Sequence, residues 1–358
     1  MEIPIRSTFL YSYKSLCVVV VAFMVSYWVY RFGIEDRDVG VVDLVTFEES
    51  DDVEFPIASI CFTNPFLDKK LNKTDPTINS TSYMHYLKGE IYNERFESID
   101  YENVTLNLNE HFLYGQVKYF NESEYRNTTS SKFKHHVIFN GFYYESFVKC
   151  FQVTMNKEDH RDVRGVVLYY SNETLFEELA DPFEREWQYY YNVHYPHQFL
   201  LETRSPYNHR LVHTGGGMFA WVKGVEVIKR RTTRTKTCMA DGKHFDELVL
   251  SKHIRRSGCR APYHGTYKGF TICATKEDIK RSIYHFREVR KRYYPKACQR
   301  ISKIDYVAQA SSLKGQYEFG ISYPEDVKLI TQYKEVDGHA LIGNIGGYIG
   351  LFLGNHYH

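Results

Sequence analysis

The sequence lacks an excess of either charge: 45 Lys and Arg stand against 44 Asp and Glu, a formal net charge of +1. No global field therefore draws in nucleic acid or an acidic surface. It lacks G-x-S-x-G, G-x-G-x-x-G, the P-loop and H-E-x-x-H, so no motif points to an enzyme or calls for a cofactor. It lacks internal repeats and low-complexity linkers. It lacks any C-x2-C pair, which sets zinc aside as the use for its cysteines. Aromatics are abundant at 16%, with 31 Tyr, which suits an aromatic core or a binding surface equally well.

Long apolar runs occur near the two ends. Residues 9–30 make a 22-residue segment interrupted only by Lys14, whose aliphatic stem can reach toward headgroups. A membrane-spanning helix needs about 20 residues. Tyr27, Trp28 and Tyr30 form an aromatic belt before Arg31. A cleaved signal peptide is the rival reading, but no A-x-A-like site follows the run. Arg6, Lys14 and the amino terminus precede the span, while residues 31–38 mix both signs. The positive-inside rule then puts the N-terminus in the cytoplasm and the bulk outside.

Two further signals agree with that orientation. Six N-x-[ST] sequons lie at Asn72, Asn79, Asn103, Asn121, Asn127 and Asn172. Cys17 falls inside the span and reads as an unpaired apolar filler. The other six, Cys61, Cys150, Cys238, Cys259, Cys273 and Cys298, are an even number in a segment placed outside the cell, where disulfides form.

Strand character is read at 41–47, 55–62, 147–154, 165–170, 199–202, 218–228 and through the β-rich stretch 306–323. Residues 67–134 read as a polar outer region with short helices. Thr275 and Asp278 mark a helix N-terminus, followed by a stripe of Ile279, Ile283, Phe286 and Val289, with Pro295 closing the helix. Strands far apart in the chain share a sheet in this reading, which gives an α+β membrane protein. His194 and His197 in HYPH read as solvated loop residues in preference to metal ligands. The basic run KRRTTRTK at 229–236 reads as a charged hairpin surface in preference to a nucleic-acid site.

Five patches carry a family likeness: FPIASICFTNPF at 55–66, KCFQVTMN at 149–156, GCRAPYH at 258–264, YYPKACQRISKIDYVAQASS at 293–312 and IGGYIGLFLG at 345–354. In these the chain resembles the degenerin/epithelial sodium channel family, its nematode-like members especially. The resemblance implies a trimer, homomeric or heteromeric, in the plasma membrane. Each subunit would have two membrane helices and a disulfide-rich β-sheet ectodomain with helical thumb and finger. It implies pairings Cys61 with Cys150, Cys238 with Cys298 and Cys259 with Cys273. It also implies a ligand-, proton- or force-gated, amiloride-sensitive pore for sodium ions, embedded in lipid.

The boundaries expected are a cytoplasmic terminus at 1–8, a first span at 9–30, an extracellular domain at 31–340 and an incomplete second span at 341–358. Gly346, Gly347 and Gly350 would pack the pore helix, Gly343 would sit at the gate, and Gly354, Asn355 and His356 at the selectivity filter. The family's filter serine is replaced by His356. The apolar run 341–354 covers about 21 Å of helix against about 30 Å of hydrocarbon, so the expectation is a second helix cut short. The reading from another class is a single-span glycoprotein that binds a ligand or partner without conducting.

Overall fold

The computed structural model describes residues 5–35, 37–46, 57–143, 146–155, 163–171, 188–194, 199, 209–212, 217–232, 237–238, 245–264, 270–293, 298–311 and 316–353. The protein is α+β and divides into two compact units. The smaller comprises residues 1–42, 230–236 and 330–358; the larger comprises 43–229 and 237–329.

In the smaller unit helix α1, Ile5–Tyr30, continues into a π-helical turn, Arg31–Glu35. The segment Tyr11–Glu35 is long and apolar enough to cross a membrane. Strand β1, Asp38–Thr46, lies beside the strand Asp326–Lys334, which precedes the C-terminal apolar helix Gly338–Leu353.

The larger unit holds β2 (Ile57–Thr63), the short helices α2 (Asp68–Thr74), α3 (Ser80–Leu87) and α4 (Glu94–Glu97), then β3 (Phe112–Tyr119) and β4 (Arg126–Thr128). β5 (Phe133–Tyr143), β6 (Ser146–Met155), β7 (Val163–Ser171), β8 (Gln188–His194), β9 (His209–Val212) and β10 (Gly217–Lys229) follow. Helices α5 (Phe245–Ser257) and α6 (Lys276–Tyr293) lead to β11 (Gln299–Ser311) and β12 (Gln316–Ser322). The strand Asp326–Lys334 is β13 and the helix Gly338–Leu353 is α7.

One sheet of this unit runs β10-β12-β7-β3-β4, with β11 antiparallel to β10; the other runs β5-β6-β2-β8-β9. They face each other across one core. Ile60, Phe62 and Phe151 from one sheet meet Met218, Phe319 and Ile321 from the other. The Tyr191 hydroxyl on β8 donates to the Gly320 carbonyl on β12 at 2.8 Å, so a buried phenol crosses the gap with its hydrogen bond satisfied.

The stripe on α6 is shared between two smaller cores. Ile279 and Ile283 pack with Tyr83, Tyr86 and Phe96 from α3 and α4; Phe286 and Val289 pack with Phe139 and Val249. The Thr275 hydroxyl accepts the Asp278 N–H at 3.1 Å, a cap worth about 1 kcal/mol.

Three sequence expectations change. Residues 67–134 contain α2–α4, but also β3 and β4, which pair into the large sheet. Tyr and Gln in those strands face partners across the sheet, so their apolar alternation is weak. Phe199 is helical where a strand was expected, and 200–202 lie outside the described residues. His194 is in β8 at 1% exposure, its ring 5.3 Å from Phe199, and is not a solvated loop residue. His197 lies outside the described residues.

Candidate functional site: the helix pair and its ion-pair collar

Helices α1 and α7 come from opposite ends of the chain and pack against each other. On α1 the covered positions are Cys17, Val20, Val21, Met24, Val25 and Trp28. On α7 they are Leu341, Asn344, Ile345, Tyr348 and Phe352. Both sets recur at three and four residues, the spacing of one helical face. Cys17 is buried there and unpaired.

The glycines of α7 lie on other faces. Gly343, Gly346, Gly347 and Gly350 are all exposed, and a Cβ at any of them would meet nothing within 4 Å. Within this chain the small residues therefore do not serve the contact with α1. Gly354, Asn355 and His356 lie outside the described residues.

Where α1 ends, charged side chains form a collar. Arg31 pairs with Glu35 at 2.9 Å and with Glu335, the residue after β13. Arg37 pairs with the other oxygen of Glu35 at 2.6 Å. The Glu335 N–H donates to the Arg37 carbonyl at 2.9 Å. Lys334 Nζ sits 3.4 Å from the centre of the Phe32 ring. Arg231 donates through Nε and Nη2 to Asp38 Oδ1 at 2.9 and 2.8 Å. Within the basic run Arg231 is thus tied to an acid, and 233–236 lie outside the described residues. The π-turn shifts the register of Arg31–Glu35 at the helix exit, a distortion common at functional positions.

Asp337 completes the arrangement by capping α7. Its Oδ1 accepts the Ala340 N–H at 2.7 Å and its carbonyl accepts the Leu341 N–H at 2.9 Å. Asp337 just before an apolar run has local N-cap chemistry. Arg31 and Glu335 give no local signal, because 304 residues separate them.

In the larger unit the disulfides are Cys61–Cys150, Cys238–Cys298 and Cys259–Cys273. The first joins residues directly opposite each other on β2 and β6. The second closes a 60-residue separation, worth about 4 kcal/mol in the chain-entropy view. Asn72, Asn79, Asn103, Asn121 and Asn127 are all exposed; Asn172 lies outside the described residues.

Two titratable arrangements of this unit were not read from the sequence. Lys149 on β6 is 1% exposed, with Nζ 2.8 Å from both Glu102 Oε2 and Thr105 Oγ1. Burial lowers its pKa, and the hydrogen bond to Glu102 opposes that. His253 on α5 is fully buried, its Nε2 3.2 Å from Ser282 Oγ, its ring 5.1 Å from the His264 ring. Burial, then the nearby His285, push the His253 pKa down to about 4; burial and His253 hold His264 well below the usual range. His264 lines a cleft of about 450 Å3 together with Glu102, Asp246 and Glu247. Among the described residues no group of three or more His, Cys, Asp or Glu could hold a metal ion.

No family model and no curated protein matches the chain. A solved structure, a proton-activated chloride channel determined by cryo-EM, is similar over 97% of this chain and 93% of that chain. The identity is 8% and the TM-score 0.31.

Proposed function

We propose that the chain is a subunit of a trimeric, sodium-permeable channel of the degenerin/epithelial sodium channel type. In this reading α1 and α7 cross the plasma membrane, the N-terminus is cytoplasmic and the larger unit is extracellular. The observation that carries it is the helix pair: two apolar helices from opposite chain ends pack together, and the glycines of α7 remain uncovered. Small residues let helices approach closely. Three copies of α7 would turn Gly346, Gly347 and Gly350 toward one another around an axis.

Gly343 would then be the position where bulk holds the pore open. Gly354, Asn355 and His356 would line the narrowest ring, where oxygen ligands replace the hydration shell of sodium. Strands β1 and β13 each pass from one unit into the other, so the backbone itself links a stimulus in the ectodomain to both helices. Gating by ligand, proton or force, and block by amiloride, follow from the sequence resemblance alone.

One observation favours the second reading, a single-span glycoprotein that does not conduct. Among the described residues, only the segment ending at Glu35 is long and apolar enough to cross a membrane. Voltage-clamp recording of oocytes expressing the chain with a completed second helix separates the two. A sodium current supports the channel. Its absence, with surface expression verified by biotinylation, overturns it.

A further inference from the structure

The outer face of the β10-β12-β7-β3-β4 sheet carries an open cleft of about 730 Å3. Aromatic rings form its wall. Phe219 and Trp221 lie 4.6 Å apart, and Tyr125 meets Phe219 edge-on at 6.3 Å. Two glycines make room for them. A Cβ on Gly320 would strike the Phe219 ring at 2.3 Å, and one on Gly165 would strike the Tyr125 hydroxyl at 2.5 Å. Trp221 keeps 37% of its surface exposed. Gln309, Arg164 and Glu318 place polar groups along the same cleft. Aromatic faces with a few convergent hydrogen-bonding groups suit a pyranose, which presents apolar C–H faces and polar edges.

The strand register places a glycosylation sequon on this face. Asn127 lies opposite Gln116, Gln116 opposite Val167, Val167 opposite Gly320, and Gly320 opposite Phe219. Cross-strand partners share a face, and strands stand about 4.8 Å apart, so Asn127 is about 19 Å from Phe219 along the row. That is the reach of a branched oligosaccharide.

A side-chain relay also orients the asparagine. The Tyr169 hydroxyl donates to Gln116 Oε1 at 3.1 Å, and Gln116 Nε2 donates to Asn127 Oδ1 at 2.8 Å. The relay ends on the asparagine oxygen, which accepts from Gln116 alone among the described residues. Asn127 is exposed, and among the described residues its Nδ2, the atom that bears an N-glycan, makes no hydrogen bond. At Asn103, by contrast, Nδ2 donates to Asp100 at 2.9 Å.

We propose that an N-glycan on Asn127 folds back onto this cleft and stacks on Trp221 and the half-buried Tyr125, with the buried Phe219 ring packed behind them. In the attachment, C1 of the first N-acetylglucosamine bonds to Nδ2. One amide proton is lost and the lipid diphosphate that carried the oligosaccharide leaves. The docked glycan covers aromatic surface that would otherwise face water. The inference rests on the extracellular placement of the larger unit and is independent of conduction.

The test uses the full chain expressed in a secretory host, with site-by-site glycopeptide mass spectrometry and timed release by an endoglycosidase from the native protein. The Asn127 glycan should be released at least about tenfold more slowly than those on Asn72 and Asn121, equivalent to about 1.4 kcal/mol of docking. Trp221→Ala, at a half-exposed site, should abolish the difference and leave the fold intact by circular dichroism. Asn127 unoccupied while Asn72 or Asn121 is occupied overturns the proposal and spares the channel reading. Equal release rates in the native protein, or slow release that persists in Trp221→Ala, also overturn it. So does uptake of free oligomannose by protein whose Asn127 glycan is intact, since the cleft would then serve an outside ligand. If every sequon is empty and surface labelling finds the larger unit inside, the extracellular placement itself falls.

Discussion

Arg31 and Glu335, 304 positions apart, form an ion pair that joins the exit of α1 to the approach of α7. Arg31 also holds Glu35, and Glu35 holds Arg37, so four charged groups share one network. The side chains of Arg31 and Glu335 retain 16% and 35% exposure, so solvent screens the pair only in part.

Reversal of the pair tests whether it couples the two helices. Arg31→Glu and Glu335→Arg should each lower stability, and the double exchange should recover most of the loss. A positive coupling between the two changes is expected for a partly exposed pair. Thermal unfolding in lipid nanodiscs measures it. Strict additivity of the two single changes would show that the pair couples nothing.

The open face of α7 predicts a separation between folding and assembly. A Cβ at Gly346 or Gly350 meets no atom within 4 Å in the single chain, so Gly346→Val and Gly350→Val should leave its own packing intact. The contact between α1 and α7 should persist, read by cross-linking of cysteines introduced on the two covered faces. The trimer proposed above, read by native mass spectrometry, should dissociate. An intact oligomer in both variants would remove the glycine face from the subunit contact.

Lys149 predicts an asymmetry. Glu102→Ala leaves a buried ammonium without its carboxylate and should cost about 3 kcal/mol. Lys149→Met fills the same volume with apolar atoms, and the Glu102 side chain, 50% exposed, can turn to water, so the cost should be near zero. Denaturant titration of the two variants compares them. Equal losses would contradict the assignment of the energy to the stranded charge.

His253 predicts acid sensitivity. Its folded pKa of about 4 lies below the unfolded value of about 6.5, so the folded state disfavours its charged form. The stability it confers is complete above about pH 6.5 and is lost as pH falls through the window to about 4. The loss amounts to about 3 kcal/mol. Burial is the main cause and the nearby His285 the lesser one, and His264 shifts in the same direction. His253→Gln can keep a hydrogen bond to Ser282 and cannot take up a proton. Its stability should decline less steeply between pH 6.5 and 4; an unchanged slope would place acid sensitivity elsewhere.

Much of the fold was legible in local pattern. The uncharged run in 9–30 gives α1 because a membrane-length apolar segment needs no distant partner to be read. Thr275 and Asp278 give the start of α6 because a cap is built within one turn. β2, β6, β7 and β10 were legible because buried central strands are rich in β-branched and aromatic residues. β5, β8 and β13 were not, since Lys, His, Gln and Asn interrupt their apolar pattern and partners across the sheet satisfy those groups.

Local pattern was enough for the elements whose stability is local, the apolar helices and the capped helix, and for the sequons. Which distant residues meet follows from the folded arrangement. Arg31 finds Glu335, His253 finds His264, and Asn127 is placed at the end of a row that reaches Phe219. Each of these depends on strand order and helix pairing, and chain distance carries no information about either. The glycines of α7 show the same division. Their spacing is plain in the sequence, but only the packing of α1 against the opposite positions shows that they remain uncovered.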